Sequence, residues 1–240
     1  MRAELPPRAE LIESYQVVDR SAPRTRVNFI ASLDGAATID DLSGGLNNAD
    51  DKLVFDTLRL LTDVILIGAG TVRAEGYGGI RLSADDAAWR TQAGLAAQPP
   101  LAVVSGRLDL DPRHPLFTEA ATRPIVLTHA AAPSDRRAAL AAVADVIVCG
   151  DEEVEPHRVV AALAERGLPQ ILCEGGPHLF GDLLAADCVD ELCLSFSPVL
   201  VGGSAGRIAV GASAVTRAME LLHVLRAGDM LFLRYGRTRS

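Results

Sequence analysis

The chain has 240 residues and a formal net charge of −8, with 49% hydrophobic and only 4% aromatic residues. This length suits one large α/β domain, and a core built from Ala, Val, Leu and Ile is typical of parallel or mixed sheets covered by helices. The negative charge argues against a protein whose main task is to neutralise phosphate backbones, so we expect no nucleic-acid partner.

The cysteines and the N-terminal residues indicate a reducing compartment. Cys149, Cys173, Cys188 and Cys193 form no Cys-x-x-Cys pair. Three of them lie in apolar runs such as VIVC and QILC, which predicts small buried side chains and no bound metal. The start, MRAELPPRAELIESYQ, has no apolar signal segment, and no window reaches the roughly 18 apolar residues of a membrane span. We therefore expect a cytoplasmic protein that makes no membrane contact.

The first predicted elements lead from a polar segment into a strand and a helix. Residues 1–25 contain several prolines and predict a surface arm with one short helix around Leu11. RVNFIASLDG predicts a strand that ends in an Asp-Gly turn, and AATI predicts a second short extended piece. In the loop LSGGLNNADD, the Asn and Asp residues suit a helix N-cap. The apolar residues of KLVFDTLRLL then fall close to helical spacing.

Strands and helices alternate through the middle of the chain. DVILIG, LAVVSG, PIVLTH, DVIVCG and QILCEGG predict strands, whereas 84–97, 134–143 and PHRVVAALAERG predict helices. The C-terminal part predicts a meander that ends in a hairpin, MELLHVLRAGDMLFLRYGR. Residues 26–240 are therefore predicted to form one α/β domain. Its mixed sheet is parallel in the centre and antiparallel at one edge, with helices on both faces.

Three glycine-bearing turns follow apolar strands: IGAGT, VVSGR and CEGGP. A single glycine after a strand is more often only a turn. Three such turns favour a long phosphorylated ligand, such as a dinucleotide, across the carboxyl ends of the strands. Their spacing does not match G-x-G-x-x-G, and no P-loop lysine follows, so the pattern predicts a dinucleotide fold other than the Rossmann fold.

Five segments together resemble one known family. ASLDG, GAGTVRAE, VVSGRLDLDP, CEGGPHLFGDLL and SPVLVGG occur in the order found in the RibD C-terminal domain, the reductase domain of riboflavin biosynthesis. The resemblance runs from about Arg26 to Tyr235 and implies a dihydrofolate reductase-like fold. It also implies an NADPH-dependent reduction of a ribosylamino-pyrimidine phosphate, of the 5-amino-6-(5-phosphoribosylamino)uracil type, which opens the sugar to a ribityl chain. A homodimer is a further expectation from this resemblance.

The resemblance also implies site residues at matching positions. Ile30 and Leu46 would flank the nicotinamide, and the remaining cofactor-binding positions would be Gly70, Thr71, Glu75, Ser105, Gly175, Gly176 and Pro177. The substrate-binding positions would be Asn28, Gly44, Arg59, Arg81 and Glu174. The family usually has lysine where this chain has Asn28, and aspartate where it has Glu75. The missing lysine removes a cation from the site and leaves the identity of the substrate open.

Hydride transfer requires close positioning of two carbon atoms and a proton source for the atom that receives the electrons. A half-buried carboxylate with a raised pKa can donate that proton, and Glu174 and Asp34 are the candidates for this catalytic role. The alternative for Asp34 is a turn-forming residue in Asp-Gly. For Arg59 and Arg81 the alternative is a solvated surface cation, and Arg107 is an alternative to Ser105 as the partner of the cofactor 2′-phosphate.

Two other functions fit the same residues. In a dihydrofolate-type reductase, a carboxylate at the start of the helix after the flexible loop would hold a pterin. Asp50, which we count among the substrate-binding residues, and Asp51 stand there. Their alternative role is N-capping of that helix. The third possibility is a protein that binds NADPH without either activity.

Overall fold

The computed structural model describes residues 3–211 and 214–238, which fold around one mixed sheet. The strands are β1 (Arg24–Ser32), β2 (Val64–Gly68), β3 (Leu101–Val104), β4 (Ile125–Thr128), β5 (Asp145–Val148), β6 (Gln170–Cys173), β7 (Glu191–Ser197), β8 (Met219–Ala227) and β9 (Met230–Arg237). The helices are α1 (Arg8–Tyr15), α2 (Ala49–Leu61), α3 (Ala69–Glu75), α4 (Ala84–Gln92), α5 (Pro115–Thr118), α6 (Ser134–Ala141), α7 (Pro156–Glu165) and α8 (Pro177–Ala185).

The sheet has the strand order β5-β4-β3-β2-β6-β1-β7-β9-β8. Every neighbouring pair from β5 to β7 is parallel, and β9 runs antiparallel to both β7 and β8. The hairpin of β8 and β9 turns at Gly228, where φ is +56° and glycine is the favoured residue. The predicted fold class, a mostly parallel mixed sheet with an antiparallel C-terminal hairpin, is confirmed.

Helices cover both faces because alternate residues of the central strands point to opposite sides. On β2, Val64 and Leu66 pack with α7 and α8, whereas Ile65 and Ile67 pack with α3, α5 and α6. A third cluster joins α1 and α2 to β7 and β9, around the fully buried side chains of Tyr15 and Phe232. These layers place the loops after β1, β2 and β6 side by side at the carboxyl ends of the central strands.

The N-terminal segment contains the helix predicted near Leu11. In α1, Leu11 and Tyr15 are 0% exposed, so the helix packs as part of the core rather than lying on the surface as an arm. Strand β1 begins at Arg24, two residues before the predicted start of the domain. The boundary at residue 26 stays a prediction.

Candidate active site

A cavity of about 510 Å³ opens at the carboxyl ends of β1, β2 and β6. Because these strands are parallel neighbours, the loops that follow them lie at the same end of the strands. Open α/β sheets bind their ligands at this carboxyl end. The backbone amide of Gly68, at the end of β2, donates to the carbonyl of Gly175 after β6, at 2.8 Å. The lining residues are Asn28, Phe29, Ile30, Ala37, Thr38, Asp41, Ser43, Asn47, Asp51, Lys52, Phe55, Gly68, Gly70, Thr71, Ala74, Glu75, Tyr77, Glu174, Gly175, Gly176, Pro177, His178 and Leu179.

Glycines form one side of this cavity. A Cβ added at Gly176 would lie 2.7 Å from Oγ1 of Thr71, too close for a side chain to fit without movement. Gly175 has φ of +108°, a conformation that other residues rarely adopt, and the space beside Gly70 is open. The cradle that results leaves bare backbone facing the cavity. It fits the pyrophosphate of a dinucleotide cofactor, which requires close approach to backbone amides.

Helix α8 begins in the same cradle. Its N-cap is Gly176, which has no side chain to satisfy the first amides, and Pro177 occupies the first helical position. The first turn therefore presents backbone N–H groups and the positive end of the helix dipole beside the glycines. Gly70, Thr71, Glu75, Gly175, Gly176 and Pro177, predicted as cofactor-binding residues, all line the cavity.

Glu174 follows β6 directly and lies at the centre of a buried polar cluster. Its side chain is 1% exposed and accepts two hydrogen bonds from Arg59, each at 2.6 Å, and one from the Tyr77 hydroxyl at 2.8 Å. The guanidinium of Arg59 lies 4.2 Å from the ring centre of Phe55. Three donors on one carboxylate are the pattern of an anion, because a protonated carboxyl would itself have to donate.

The two partners of Glu174 are held in their donor forms. Burial lowers the pKa of Arg59, but the neighbouring Glu174 outweighs this effect and the pKa ends above its usual value. Burial and the negative charge of Glu174 raise the pKa of Tyr77 well above its usual range. Both side chains therefore keep their protons at neutral pH. Arg59 itself is not a lining residue of the cavity.

Asp34 has an environment opposite to the predicted one. It is exposed and lies outside the cavity lining, and it accepts hydrogen bonds from the Ser32 hydroxyl and from the amides of Val201 and Gly202. The Ser32 hydroxyl and these amides lower the pKa of Asp34 to about 2. Asp34 is therefore ionised at neutral pH and lacks the raised pKa on which its predicted role as a proton donor was based. Its contacts instead tie the turn after β1 to the loop after β7.

The loop between β1 and α2 forms one wall of the cavity. Glu75, at the end of α3, accepts a hydrogen bond from the amide of Ser43 at 3.0 Å, which ties this loop to α3. Ser43 lines the cavity, whereas the neighbouring Gly44 does not. Leu46 is 2% exposed and is not a lining residue of the cavity. Of the residues predicted to flank the nicotinamide, Ile30 lines the cavity and Leu46 does not.

The two neighbouring aspartates at the start of α2, Asp50 and Asp51, differ in whether they line the cavity. Asn48 is the N-cap, because its side chain accepts from the amide of Asp51 at 2.9 Å. The prediction that Asp50 or Asp51 caps the helix is therefore wrong, although the loop does supply the cap. Asp51 lines the cavity, and Asp50 does not.

Two other predicted residues lie away from the cavity. Ser105 is buried after β3, and its amide donates to the carbonyl of Leu127 on β4. Arg81 is exposed and is not a lining residue. The structure thus brings together Asn28, Ile30, Glu174 and the glycine turns IGAGT and CEGGP, but not Arg81 or the turn VVSGR that contains Ser105.

Sequence reasoning missed Tyr77, Phe55 and Lys52 as lining residues, and it considered Asp51 only for the folate alternative. Tyr77 stands in a glycine-bearing loop, EGYGG, where an aromatic residue is a weak signal. Phe55 falls in the apolar pattern of α2 and looked like a core residue. Each residue reaches the cavity through tertiary packing that no local pattern records.

Over residues 3–211 and 214–238 the structure offers neither a metal site nor a membrane span. Within these ranges no group of three or more His, Cys, Asp or Glu side chains is arranged to hold a metal ion. No helix in the same ranges is long and apolar enough to span a membrane. All four cysteines are free thiols.

The mixed sheet and the glycine-lined cavity beside a buried carboxylate are those of an α/β enzyme with room for a dinucleotide cofactor. The chain belongs to the RibD C-terminal domain family, whose family model matches residues 23–233. The family resemblance drawn from the five sequence segments is therefore confirmed, as are the assignment to the oxidoreductases and the connection with riboflavin biosynthesis.

Named relatives agree with this assignment. The chain is 29% identical over 182 residues to the 2,5-diamino-6-ribosylamino-4(3H)-pyrimidinone 5′-phosphate reductase of Archaeoglobus fulgidus, covering 75% of this chain and 83% of that protein. It is 28% identical over 200 residues to the riboflavin biosynthesis protein RibD of Mycobacterium tuberculosis, covering 82% of this chain and 49% of that protein. The chain thus spans about half the length of this RibD protein.

Solved structures share the fold. A pyrimidine reductase-like protein from Corynebacterium diphtheriae superposes with a TM-score of 0.86 at 26% identity, covering 98% of this chain and all of that one. The riboflavin biosynthesis reductase Rib7 of Saccharomyces cerevisiae gives a TM-score of 0.69 at 16% identity, covering 95% of this chain and 98% of that one. At that level of identity, the second match supports the fold alone.

Proposed function

We propose that this protein is an NADPH-dependent reductase of a ribosylamino-pyrimidine 5′-phosphate in riboflavin biosynthesis. One observation carries the proposal: a single cavity joins the glycine cradle at Gly175 and Gly176 to a polar end formed by Asn28, Asp51 and Glu174. The cradle suits a dinucleotide, and the polar end suits a heterocycle with its own donors and acceptors. The relatives named as pyrimidine reductases act on such a substrate.

The chain's own residues have distinct tasks in this proposal. When bound, the nicotinamide would supply a hydride for the sugar carbon that is attached to the pyrimidine amine, while the bond from that carbon to the ring oxygen breaks and the oxygen takes a proton from solvent. The anionic Glu174, fixed by Arg59 and Tyr77, stabilises positive charge at that carbon–nitrogen bond. Because Glu174 accepts three hydrogen bonds, we assign it this electrostatic role in place of proton donation. Phe29 and Ile30 provide apolar walls that help to exclude water.

The direct test is oxidation of NADPH by the purified protein, followed by absorbance, with three substrates offered separately. These are 2,5-diamino-6-ribosylamino-4(3H)-pyrimidinone 5′-phosphate, 5-amino-6-(5-phosphoribosylamino)uracil and dihydrofolate. We expect turnover with a pyrimidine phosphate and none with dihydrofolate. Turnover with dihydrofolate alone would overturn the proposal.

The second candidate function is a dihydrofolate-type reductase. It is favoured by Asp51, a carboxylate in the cavity at the start of α2, and by Asn28 in place of the family lysine. Binding of NADPH without turnover of any of the three substrates would instead favour a cofactor-binding protein. The same assay therefore separates all three possibilities.

We propose NADPH rather than NADH as the cofactor. Arg107 is exposed two residues after Ser105, at the end of β3, where the 2′-phosphate would lie beside the adenosine ribose. Arg107→Gln should weaken NADPH binding roughly tenfold and leave NADH binding unchanged, because only NADPH carries that phosphate. Arg113→Gln is the control, since Arg113 is exposed and pairs with Asp111. Tighter binding of NADH than NADPH by the wild type would contradict this choice.

We propose a cytoplasmic location, because all four cysteines are free thiols.

We also propose that the protein forms a homodimer through β8. On β8, at one edge of the sheet, Leu221, Leu222 and Val224 are each about half exposed (48%, 47% and 48%). Such a stripe is unusual on a surface that stays in water. Light scattering should give twice the chain mass for the wild type and a single chain for Val224→Glu. Val148→Glu on β5, the opposite edge strand, should remain dimeric, and a monomeric wild type would overturn the proposal.

A further inference from the structure

Arg90, in the last turn of α4, is a fully buried cation outside the cavity lining. It is 0% exposed, and within residues 3–211 and 214–238 it forms no ion pair, because the nearby carboxylate of Asp63 binds Arg20 instead. Burial lowers the pKa of Arg90 to about 10, so the guanidinium remains charged at neutral pH. A buried charge without a counter-ion is costly, and its hydrogen bonds therefore indicate its role.

Arg90 donates hydrogen bonds to four backbone carbonyls. Three of them lie at the end of α2: those of Arg59 at 3.3 Å, Leu60 at 2.8 Å and Thr62 at 2.7 Å. The fourth, that of Ala96 at 2.7 Å, fixes Arg90 to the loop after α4. The guanidinium therefore holds the last turn of α2 against α4.

The end of α2 lacks the usual glycine. Thr62, which follows the last helical residue, is extended (φ −93°, ψ 157°), so the chain leaves the helix without the left-handed turn that would satisfy the last carbonyls. Arginine side chains bind these carbonyls instead, because Arg20 donates to that of Leu61 at 2.7 Å and Arg90 donates to its neighbours. Without such donors, the last turn of a helix frays.

The last turn of α2 carries Arg59. The side chain of Arg59 donates to both oxygens of Glu174, at 2.6 Å each, and its guanidinium lies 4.2 Å from the ring centre of Phe55, one turn earlier. A bidentate contact between arginine and a carboxylate tolerates little displacement, because both N–H groups must meet the two oxygens together. Direct contacts therefore lead from Arg90 through Arg59 to a carboxylate that lines the cavity.

We propose that Arg90 is a positioning residue of the active site: by holding the last turn of α2, it keeps Arg59 in the orientation that binds Glu174 with two hydrogen bonds. Arg90 does not line the cavity, so it acts on the reaction only through Arg59. The inference rests on the proposed function for its kinetic test. A purely structural role predicts instead that loss of Arg90 lowers stability and leaves the turnover of folded protein unchanged.

The test is a double-mutant cycle of Arg90→Met and Glu174→Gln, in which kcat is measured with the pyrimidine phosphate that the wild type reduces. Methionine fills similar space but donates no hydrogen bond. Arg90→Met alone should lower kcat about tenfold and leave the KM for NADPH nearly unchanged, because a misplaced Glu174 stabilises the transition state less well. In Glu174→Gln protein the same change should lower kcat less than about twofold, since the group that Arg90 positions is already absent.

Arg123→Met is the matched control. Arg123 donates to the carbonyls of Ala141 and Ala144 at the end of α6, at 2.8 Å and 2.9 Å, and no residue of this helix lines the cavity. Arg123 thus binds a helix end in the same way but far from Glu174 in the contacts that hold that carboxylate. Its loss should leave kcat within about twofold of the parent protein in both backgrounds.

Two kinetic outcomes overturn the inference. The first is a wild-type kcat in folded Arg90→Met, and the second is an equal loss of kcat in both backgrounds, which would mean that Arg90 acts independently of Glu174. If Arg90→Met does not fold, Arg90→Lys takes its place, because lysine keeps the charge and donates to some of the same carbonyls. It should cause a smaller loss of kcat that again disappears in Glu174→Gln protein, and a loss that persists there overturns the inference.

A measurement that needs no substrate separates failure of the proposed function from failure of this inference. If none of the three substrates is reduced, the proposed function fails, and nuclear magnetic resonance of the arginine Nε–H groups then tests Arg90. The signal of Arg59, assigned by its loss in Arg59→Lys, should exchange slowly with water in the wild type and in Arg123→Met. It should exchange faster in Arg90→Met and in Glu174→Gln, since both variants weaken its hydrogen bond. An unchanged Arg59 signal in Arg90→Met overturns the inference.

Discussion

Glu174 and Glu191 are both buried carboxylates held by arginine, yet one follows the end of its strand and the other begins its strand. Glu174 follows the carboxyl end of β6, whereas Glu191 is the first residue of β7. Glu191 accepts from Arg24 at 2.8 Å, from Arg26 at 2.8 Å and from Arg234 at 2.9 Å. Only Glu174 lines the cavity. A buried ion pair is therefore a poor indicator of an active site unless its position relative to the strand ends is considered.

The surroundings of the two carboxylates explain this difference. Three arginines surround Glu191, two from β1 and one from β9, so it links strands and leaves no face open to a ligand. Glu174 is held by Arg59 and Tyr77, and Glu174 and Tyr77 both line the cavity. We therefore expect loss of Glu191 to act on stability and loss of Glu174 to act on catalysis.

The largest expected effect is on stability. Glu191→Gln should lower the free energy of unfolding by about 3 to 5 kcal/mol, because removing the carboxylate leaves three arginines without their shared anion. Denaturant unfolding measures the loss. Glu220→Gln, an exposed glutamate on β8, is the matched control and should lie within about 0.5 kcal/mol of the wild type. A loss from Glu191→Gln no larger than that of the control would contradict the structural role.

Glu174→Gln should chiefly affect turnover. We expect kcat to fall about 100- to 1,000-fold, the range for loss of one oriented electrostatic group, with NADPH affinity nearly unchanged. Stopped-flow turnover together with fluorescence titration of NADPH separates the two quantities. Folded Glu191→Gln protein should retain its turnover per molecule. A large loss of NADPH affinity in Glu174→Gln would mean that Glu174 belongs to the cofactor site.

The pH dependence of stability sharpens the comparison. The pKa of Glu191 is lowered from 4.5 to about 2, because Arg26 and Arg234 outweigh the effect of its burial. A lowered pKa contributes stability that is complete above pH 4.5 and is lost as the pH falls toward 2. The difference in unfolding free energy between wild type and Glu191→Gln should therefore narrow by about 3 kcal/mol between pH 6 and pH 2. A constant difference would contradict the assigned ion pairs.

The smallest expected effect concerns Asp34. Because Asp34 lies outside the cavity lining and binds the amides of Val201 and Gly202, Asp34→Asn should leave kcat close to that of the wild type. Hydrogen exchange at those two amides should become faster, since an amide oxygen is a weaker acceptor than a carboxylate. A fall in kcat comparable to that of Glu174→Gln would restore the catalytic role first predicted for Asp34.

The sequence predicts most of the fold because its signals are local. Alternating apolar runs and the glycines after β2, β3 and β6 mark the strands and their ends, and the Asn-rich loop supplies the cap of α2. The burial of α1 was not predicted, because its apolar residues occupy only part of one short helix. The glycine-lined side of the cavity comes from two of the three glycine turns, so it too can be located from the sequence.

The polar side of the cavity could not be derived in the same way. Arg59 and Glu174 are separated by 115 residues, and only the folded chain shows that they bind one another. The same holds for the Tyr77 hydroxyl, 97 residues from its partner. The environment of Asp34 could not be derived from the sequence because its amide partners come from a loop 167 residues further along. Such long-range contacts decide which carboxylate faces a ligand and which one links strands.

The burial of α1 has a consequence for the order in which the protein folds. The last carbonyls of this helix, those of Ser14 and Tyr15, accept hydrogen bonds from Arg234 and Arg26, at sequence separations of 220 and 11 residues. An isolated helix of eight residues is too short to persist in water. Helix α1 should therefore become stable only after β9 has joined the sheet, so that a helix preceding every strand of the sheet in the chain is among the last segments to gain protection from hydrogen exchange.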